Sequence, residues 1–223
     1  MTPDHSAAPS PTHLRRAAFL DRDGVINIDH GYVWRIADFQ FVPGVVTAAA
    51  ELAQAGYALV VVTNQAGIGR GMYGEDDFDR LTAWMIEQFA QGGVPIAGVY
   101  HCPHHPTLAQ GDFRRACSCR KPAPGMLLDA ARDLDIRLSD SVMFGDKCDD
   151  MRAAQAAGVG LRVYLGKDGH AAPADACDAA GAGLRFASLA AAVSDPGLRA
   201  QLRLAPSPPD LASAHKAVLP PGA

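Results

Sequence analysis

Short apolar runs alternate with longer amphipathic segments along the chain, and this alternation predicts strands separated by helices. The apolar runs are residues 17–20, 57–62, 96–100, 142–144 and 160–165, followed by a weaker one at 184–186. Such an order is typical of an α/β fold in which helices cover both faces of a parallel sheet. The sequence therefore predicts a doubly wound, Rossmann-like parallel sheet.

The segments between these runs carry helical signals. The predicted helices are residues 45–55, 75–91, 124–133 and 149–157. Gly56 and Gly158 follow two of them, and glycine readily adopts the left-handed conformation that commonly ends a helix. In the longest helix, the apolar residues at helical spacing are Phe78, Leu81, Met85 and Phe89. We interpret this stripe as ordinary core packing.

Both ends of the chain differ in composition from the middle. Residues 1–16 are polar, and the apolar run that follows them is too short for a signal peptide or a membrane span. Residues 195–223 are rich in alanine and proline and show no sustained periodicity. We expect a flexible segment at 1–16, one globular domain at 17–194 and a loosely held tail at 195–223, in a cytoplasmic protein without a membrane partner.

Composition narrows the class of protein further. The chain has 223 residues, of which 48% are hydrophobic and 20% are charged, and this length suits one large globular domain. Its net charge of −4 offers no basic surface for a nucleic-acid backbone, so nucleic acid is a poor candidate partner and we expect none. We expect a monomer that acts on a small molecule.

Polar residues follow four of the predicted strands. Asp21 and Asp23 come after the first strand, and Thr63 comes after the second. Lys121 follows the third strand and its long loop, and Asp146 follows the fourth. Because ligands of a doubly wound sheet bind beyond the carboxyl ends of the strands, these residues are expected to meet in one crevice. Carboxylate, hydroxyl and lysine groups together suit Mg²⁺ and a phosphoryl group.

Two aspartates at positions i and i+2 suit a hydrolysis in two steps. One carboxylate can attack phosphorus to form an aspartyl phosphate, while the other handles the proton of the leaving group. A metal ion would reduce the repulsion between an anionic nucleophile and an anionic substrate, and a lysine would neutralise the transferring oxygens. A single pair of aspartates is common in loops, whereas four matching segments in chain order favour this chemistry.

As whole motifs, these segments resemble those of the haloacid dehalogenase-like phosphatases. The four matching segments are FLDRDGVIN, VVVTNQ, RKPAPGM and MFGDKCDDM, and the resemblance covers residues 17–165. The subgroup of D-glycero-D-manno-heptose 1,7-bisphosphate 7-phosphatases and histidinol phosphatases is similar in further segments, namely DHGYV, TNQAGIGRG, CPHH and CSCRKP. Little chain separates the motifs, so we expect a capless haloacid dehalogenase-like fold with a zinc-binding loop.

The resemblance implies a role for each matching residue. Asp21 would be the nucleophile and a magnesium ligand, Asp23 the general acid and base with its carbonyl on the metal, and Asp146 a further magnesium ligand. Thr63 and Lys121 would hold the phosphoryl group. The substrate site would be lined by further residues, of which Arg120 helps to recognise a sugar: Asp29, His30, Gly31, Tyr32, Asn64, Gln65, Ala66, Arg70, Arg120 and Lys147.

Cysteines and histidines cluster just before the third motif. The candidate ligands are Cys102, His104, Cys117 and Cys119, and three thiolates with one imidazole make a closed, structural Zn²⁺ site. His101 and His105 compete as the imidazole ligand and spacing does not choose between them, whereas the resemblance favours His104. Buried free thiols and a disulfide are the alternatives. Bound zinc would fix the loop that delivers Arg120 and Lys121 to the crevice.

Several alternatives stay open at the level of sequence. The segment 67–71 lacks the spacing of a dinucleotide-binding loop, and we interpret it as a flexible turn that lets Arg70 approach the substrate. Asp150 is either a site residue or a charge favoured by the helix dipole. The expected substrate is heptose 1,7-bisphosphate, an intermediate of nucleotide-activated heptose for lipopolysaccharide. Histidinol phosphate is the alternative substrate, and a zinc-stabilised binding module without catalysis is the alternative class.

Overall fold

The computed structural model describes residues 15–166 and 184–205. The expectations for residues 1–14 and 206–223, a flexible segment and part of a loosely held tail, lie outside the described residues. Cys177 also lies outside them. The sequence predicts that Cys177 and Cys148 are packing or incidental residues.

One parallel sheet organises the described part of the chain. Six strands are hydrogen-bonded there in the order β3-β2-β1-β4-β5-β6, and every neighbouring pair is parallel. The strands are β1 (Arg16–Leu20), β2 (Tyr57–Asn64), β3 (Ile96–Cys102), β4 (Val142–Gly145), β5 (Leu161–Leu165) and β6 (Leu184–Phe186). This arrangement confirms the doubly wound α/β prediction.

The sheet is covered on both faces, as its nearly continuous apolar strands require. Side chains along a strand alternate between the two faces, so one strand contributes to two cores. In β2, Leu59 and Val61 belong to the core that contains Leu20. Val60, from the same strand, belongs to the other core with Phe19.

Helices occupy the predicted places between the strands. In the described residues they are α1 (Val45–Gln54), α2 (Ala66–Gly69), α3 (Glu75–Gln91), α4 (Gly125–Asp133), α5 (Cys148–Ala157), α6 (Leu189–Ser194) and α7 (Pro196–Leu202). The predicted stripe of α3 is buried, which confirms its packing role. Gly158 ends α5 with a φ of 80°, as its position predicted. None of these helices has the length and apolar character needed to cross a membrane.

The chain does not become a loose tail at Asp195. The Asp195 side chain accepts a hydrogen bond from the Leu198 backbone N–H at 2.8 Å and so caps α7. Leu198 and Leu202 are buried in the core, and Arg199 donates to Glu51 of α1 at 2.5 Å. The expectation of a tail is therefore wrong for residues 195–205. A helix of seven residues is too short for its apolar positions to show a clear period.

The carboxyl ends of β1, β2 and β4 lie side by side because β1 is the strand between the other two. β2 and β3 run further than predicted, to Asn64 and Cys102. Thr63 is therefore the second-last residue of a buried strand rather than the first residue of a loop. These strand ends form the base of the candidate site.

Candidate active site

A buried lysine lies between two buried carboxylates at the strand ends. Lys121 Nζ is 3.0 Å from Asp21 Oδ1 and 2.5 Å from Asp150 Oδ1, and it donates to the Val62 carbonyl at 2.8 Å. Burial lowers the pKa of Lys121, but Asp150 and Asp21 outweigh it and raise that pKa above the usual value. Burial also raises the pKa of Asp21, although Lys121 opposes the rise. The lysine is thus held as a cation against the candidate nucleophile.

Asp23 lies in a cage of hydrogen-bond donors. Arg22 Nη2 is 3.0 Å from both carboxylate oxygens. Asn27 Nδ2 donates to Oδ1 and Gln65 Nε2 donates to Oδ2, each at 3.0 Å. Arg22 also donates to the Val33 carbonyl at 2.6 Å and so ties the loop after β1 to the same cage. These contacts fix the carboxylate that the sequence predicts to be the acid and base.

Three carboxylates converge where a cation would fit. Asp21, Asp146 and Asp150 each offer an oxygen, and these oxygens lie within 4.8 Å of one another. Asp146 Oδ1 is buried and has no hydrogen-bond partner among the described residues. Burial and the neighbouring Asp21 raise the pKa of Asp146 to about 8. A buried, unpaired oxygen in an all-oxygen donor set fits Mg²⁺, which binds through one or two carboxylates.

The absence of a side chain at Gly24 leaves space for the carboxylate cluster. Its φ is +93°, and a Cβ added there would lie 2.1 Å from Asp146 Oδ2. The turn after β1 therefore needs a glycine both for its backbone conformation and for the close approach of Asp146. This explains physically why a glycine follows the two aspartates.

The cluster opens into a cavity of about 350 Å³. Its walls are formed by Asp21, Asp23, Asp29, Gly31, Tyr32, Thr63, Asn64, Gln65, Ala66, Tyr73, Arg120, Lys121, Lys147, Asp149 and Asp150. Lys147 Nζ reaches Asp29 Oδ2 at 3.3 Å across the mouth. Burial opposes ionisation of Asp29, but a hydrogen bond from the Gly31 N–H and the charge of Lys147 lower its pKa overall. The cavity thus combines a cationic wall with a carboxylate floor, an arrangement that suits a phosphorylated small molecule.

The four predicted zinc ligands come together beside the cavity. Cys102, His104, Cys117 and Cys119 form one cluster in which the sulfur–sulfur distances are 3.5 Å, 3.1 Å and 3.3 Å. His104 Nδ1 lies 3.3 Å from Cys119 Sγ and 3.6 Å from Cys102 Sγ. Tetrahedral ligands at about 2.3 Å from zinc stand roughly 3.8 Å apart, so the cluster needs only a small expansion to hold the ion.

The competing histidines are engaged elsewhere. His101 Nε2 lies 2.9 Å from Glu75 Oε2, and His105 Nδ1 accepts from the Leu108 N–H at 3.0 Å. The geometry therefore selects His104 as the imidazole of the cluster, in agreement with the resemblance. The Cys102, Cys117 and Cys119 thiols are free, which removes the disulfide alternative for them.

Hydrogen bonds connect the cysteine cluster to Lys121. Asn64 Nδ2 donates to the Lys121 carbonyl, and the Lys121 N–H donates to Asn64 Oδ1, both at 3.0 Å. Arg120 Nη1 donates to the His104 carbonyl at 3.2 Å, and the Gln65 N–H donates to the Cys102 carbonyl at 2.8 Å. The end of β2 and the cluster thus hold the loop that carries Lys121.

Comparisons with known proteins agree with this geometry. A family model described as HAD-hydrolase-like matches residues 118–192. The D-glycero-β-D-manno-heptose-1,7-bisphosphate 7-phosphatase of Photorhabdus laumondii is 54% identical over 149 residues, which are 67% of this chain and 79% of that protein. The chain belongs to this phosphatase family.

Further members extend the comparison to a solved structure. The protein of the same name from Escherichia coli K12 is 53% identical over 67% of this chain and 78% of its own length. The crystal structure of D,D-heptose 1,7-bisphosphate phosphatase from B. bronchiseptica, complexed with magnesium and phosphate, has a TM-score of 0.66 at 31% identity. That match covers 80% of this chain and 96% of the other.

The cavity is lined by most of the residues that the sequence of this chain predicts to contact substrate. They are Asp29, Gly31, Tyr32, Asn64, Gln65, Ala66, Arg120 and Lys147. His30 instead lines a neighbouring cleft, which shares Gly31 and Tyr32 with the cavity. Arg70 stands behind the wall, with its guanidinium 5.0 Å from the centre of the Tyr32 ring and a hydrogen bond to the Tyr32 hydroxyl. For His30 and Arg70, a substrate contact stays a prediction.

The glycine-rich segment is not the flexible turn that the sequence predicted. Residues Ala66–Gly69 form the short helix α2, and Gly67 and Gly69 are buried. A Cβ at Gly67 would lie 2.2 Å from the Tyr73 ring, and one at Gly69 would lie 2.4 Å from the Pro103 carbonyl oxygen. These glycines allow close packing against the ring and the cysteine loop, and such packing leaves no local sequence signal.

Sequence reasoning missed part of the site and left Asp150 undecided. Its position is compatible with both alternatives, because Oδ1 contacts Lys121 while Oδ2 accepts from the Lys147 N–H at 3.0 Å near the start of α5. Arg22, Asn27 and Tyr73 were not expected at the site. An arginine between two aspartates is the one signal that could have found Arg22, since charged residues are rarely buried unless paired.

Proposed function

We propose that this chain is an Mg²⁺-dependent phosphatase that removes the 7-phosphate of D-glycero-D-manno-heptose 1,7-bisphosphate. The observation that carries the proposal is the buried Asp21–Lys121 pair at 3.0 Å, below a cationic cavity wall. Beside it lies Asp146 Oδ1, which has no hydrogen-bond partner in the described part of the chain. The names of the relatives from Photorhabdus laumondii and Escherichia coli support the substrate and favour its β anomer. They do not favour histidinol phosphate.

In the proposed reaction, Asp21 attacks phosphorus and the bond between phosphorus and the 7-oxygen breaks. Asp23 gives a proton to the leaving oxygen, which departs as the sugar hydroxyl. Water then attacks phosphorus of the aspartyl phosphate, Asp23 takes the proton from that water, and Asp21 is released as a carboxylate with inorganic phosphate. Lys121 neutralises the phosphoryl oxygens during both steps, and Thr63 donates a hydrogen bond to one of them.

The metal roles are part of the proposal. Mg²⁺ held by Asp21, Asp146 and the backbone carbonyl of Asp23 would reduce the charge repulsion between the carboxylate and the phosphate. The backbone contact proposed for Asp23 follows the family resemblance, and it leaves the side chain, which Arg22, Asn27 and Gln65 orient, to act as the acid and base. Zn²⁺ in the four-ligand cluster would be structural, because three thiolates and an imidazole leave no open position.

The cations at the mouth suit the second phosphate of the substrate. Arg120 and Lys147 line the cavity, and Arg70 stands next to it behind Tyr32. A bisphosphate would meet a cation at each end, whereas the ammonium group of histidinol phosphate would meet like charge. We propose that the enzyme is a cytoplasmic monomer that serves nucleotide-heptose and lipopolysaccharide synthesis.

Phosphate release tests the proposal directly. The substrates are both anomers of heptose 1,7-bisphosphate and histidinol phosphate, each with Mg²⁺, and Asp21→Asn is the blank. We expect the highest kcat/KM for the β-bisphosphate and no turnover in the blank. A preference for histidinol phosphate would keep the mechanism and overturn the substrate, and absence of all phosphomonoesterase activity would favour the binding module.

A further inference from the structure

Tyr73 is a buried residue of the cavity wall, and its hydroxyl contacts Gln65, one of the residues that donate hydrogen bonds to Asp23. Its Oη donates to Gln65 Oε1 at 2.5 Å. The ring stacks on Trp34 with 6.1 Å between centroids and packs closely over Gly67. Burial raises the pKa of Tyr73 to about 12, so the phenol keeps the proton that it donates. The hydroxyl is therefore fixed in place as a donor.

Gln65 uses its amide nitrogen on two residues that the proposed mechanism needs. Its Nε2 donates to Asp23 Oδ2 at 3.0 Å and to Thr63 Oγ1 at 2.9 Å. Since an amide nitrogen only donates, Thr63 accepts this bond, and its own hydroxyl hydrogen stays free for a phosphoryl oxygen. Turning the amide over would bring its oxygen against the Asp23 carboxylate and would take the Thr63 hydrogen.

The amide oxygen of Gln65 depends on Tyr73. Gln65 is 2% exposed, and Tyr73 is the donor recorded for Oε1 among the described residues. Without that hydroxyl, a buried acceptor would lack a partner, which is costly. The side chain would then turn toward another donor and leave Asp23 and Thr63.

We propose that Tyr73 is a positioning residue for phosphoryl transfer, because its hydroxyl holds the Gln65 amide with both N–H groups directed at Asp23 and Thr63. The inference rests on the proposed phosphatase function for its kinetic consequence. Tyr73 acts through Gln65, so its loss should lower kcat and leave KM nearly unchanged.

The test removes the hydroxyl and keeps the ring, with Tyr73→Phe as the variant. Tyr100→Phe is the matched control, since the Tyr100 hydroxyl contacts the exposed Asp133 at 3.3 Å. We expect Tyr73→Phe to lower kcat about tenfold, the size typical of a lost buried hydrogen bond. In a Gln65→Leu background, the same change should have less than about a twofold further effect, because the hydroxyl then has nothing to position.

A second readout does not depend on turnover. The side-chain amide signals of Gln65 in a ¹H–¹⁵N spectrum are assigned by their loss in Gln65→Leu. They should move in Tyr73→Phe and stay in place in Tyr100→Phe. Thermal unfolding of each variant checks that the fold is retained.

Three results would overturn the inference. These are an unchanged kcat in Tyr73→Phe, an equal loss of kcat in both backgrounds, and Gln65 amide signals that do not move. A wild-type protein without phosphatase activity would remove the proposed function alone, and the amide signals would still decide whether Tyr73 orients Gln65.

Discussion

Replacing Asp21 with asparagine should abolish turnover without destabilising the protein. The carboxamide keeps the shape of the side chain but cannot form an aspartyl phosphate. Loss of a nucleophile costs many orders of magnitude, and we expect at least about a 10⁴-fold fall in kcat. The variant therefore separates the reaction from the fold.

The stability of this variant follows from the sign of a pKa shift. Burial raises the pKa of Asp21, so at pH 7 the ionised carboxylate opposes folding, and a neutral side chain removes that opposition. Lys121 loses a charge partner at 3.0 Å, but the net rise in the pKa of Asp21 already includes the attraction of this lysine. Lys121 keeps its contacts with Asp150 and with the Val62 carbonyl, and the asparagine at position 21 still offers it an oxygen. We expect a gain on the order of 1 kcal/mol in Mg²⁺-free buffer.

Lys121→Met provides the contrast. It removes the cation that lies between Asp21 and Asp150 and leaves two buried carboxylates without it. Breaking a buried ion pair from one side costs about 3 to 5 kcal/mol. This variant should lose both activity and stability, whereas Asp21→Asn should lose activity alone.

Denaturant unfolding with zinc retained, together with phosphate release, measures both effects. A loss of stability in Asp21→Asn of more than about 2 kcal/mol, half of the cost expected for a broken buried pair, would contradict this expectation. Wild-type unfolding of Lys121→Met would contradict it as well. Residual turnover with a native unfolding curve in Asp21→Asn would refute the assignment of the nucleophile.

Three further changes test the metal sites. Gly24→Ala should weaken Mg²⁺ binding at least about tenfold, because the added Cβ displaces Asp146. Gly56→Ala is the control, since Gly56 also has a positive φ, +88°, but has open space around it. Equal Mg²⁺ affinities of the two variants in calorimetry would contradict this prediction. Mg²⁺ affinity should rise with pH up to about 8, because the Asp146 carboxyl must lose its proton to bind, and pH-independent calorimetric titrations would argue against it. Cys117→Ser should lower zinc content and reduce kcat about tenfold through the position of Lys121. Wild-type kinetics in a zinc-depleted preparation of that variant would exclude this positioning role.

The strands and the main chemical groups could be predicted from the sequence because both leave local signals. A strand buried on two faces is a continuous apolar run, and its end marks the edge where ligands bind. Asp21 follows such an end directly, so its place in the crevice depends only on the strand. The cluster of three cysteines and His104 was predictable for a similar reason, since the short spacings of these residues bring pairs together locally.

The positioning partners could not be predicted because their contacts are tertiary. Tyr73 is eight residues from Gln65, and nothing in the intervening glycine-rich segment indicates that the ring returns to the amide. Asn27 meets Asp23 only after the loop beyond β1 has turned at Gly24. Residue type gave the reacting groups, whereas orientation came from hydrogen bonds that form in the folded chain.

The position of Lys121 explains why a phosphatase would keep a metal that takes no part in its chemistry. The residue lies in a loop, yet a charge that stabilises a transition state must be held to within about half an ångström. Two hydrogen bonds to Asn64 hold the backbone of Lys121, and the Val62 carbonyl holds its ammonium group. Two residues earlier, Cys119 belongs to the cysteine cluster. Bound zinc would thus replace the regular structure that the loop lacks. Removal of zinc should therefore lower kcat before it destabilises the two cores that cover the sheet.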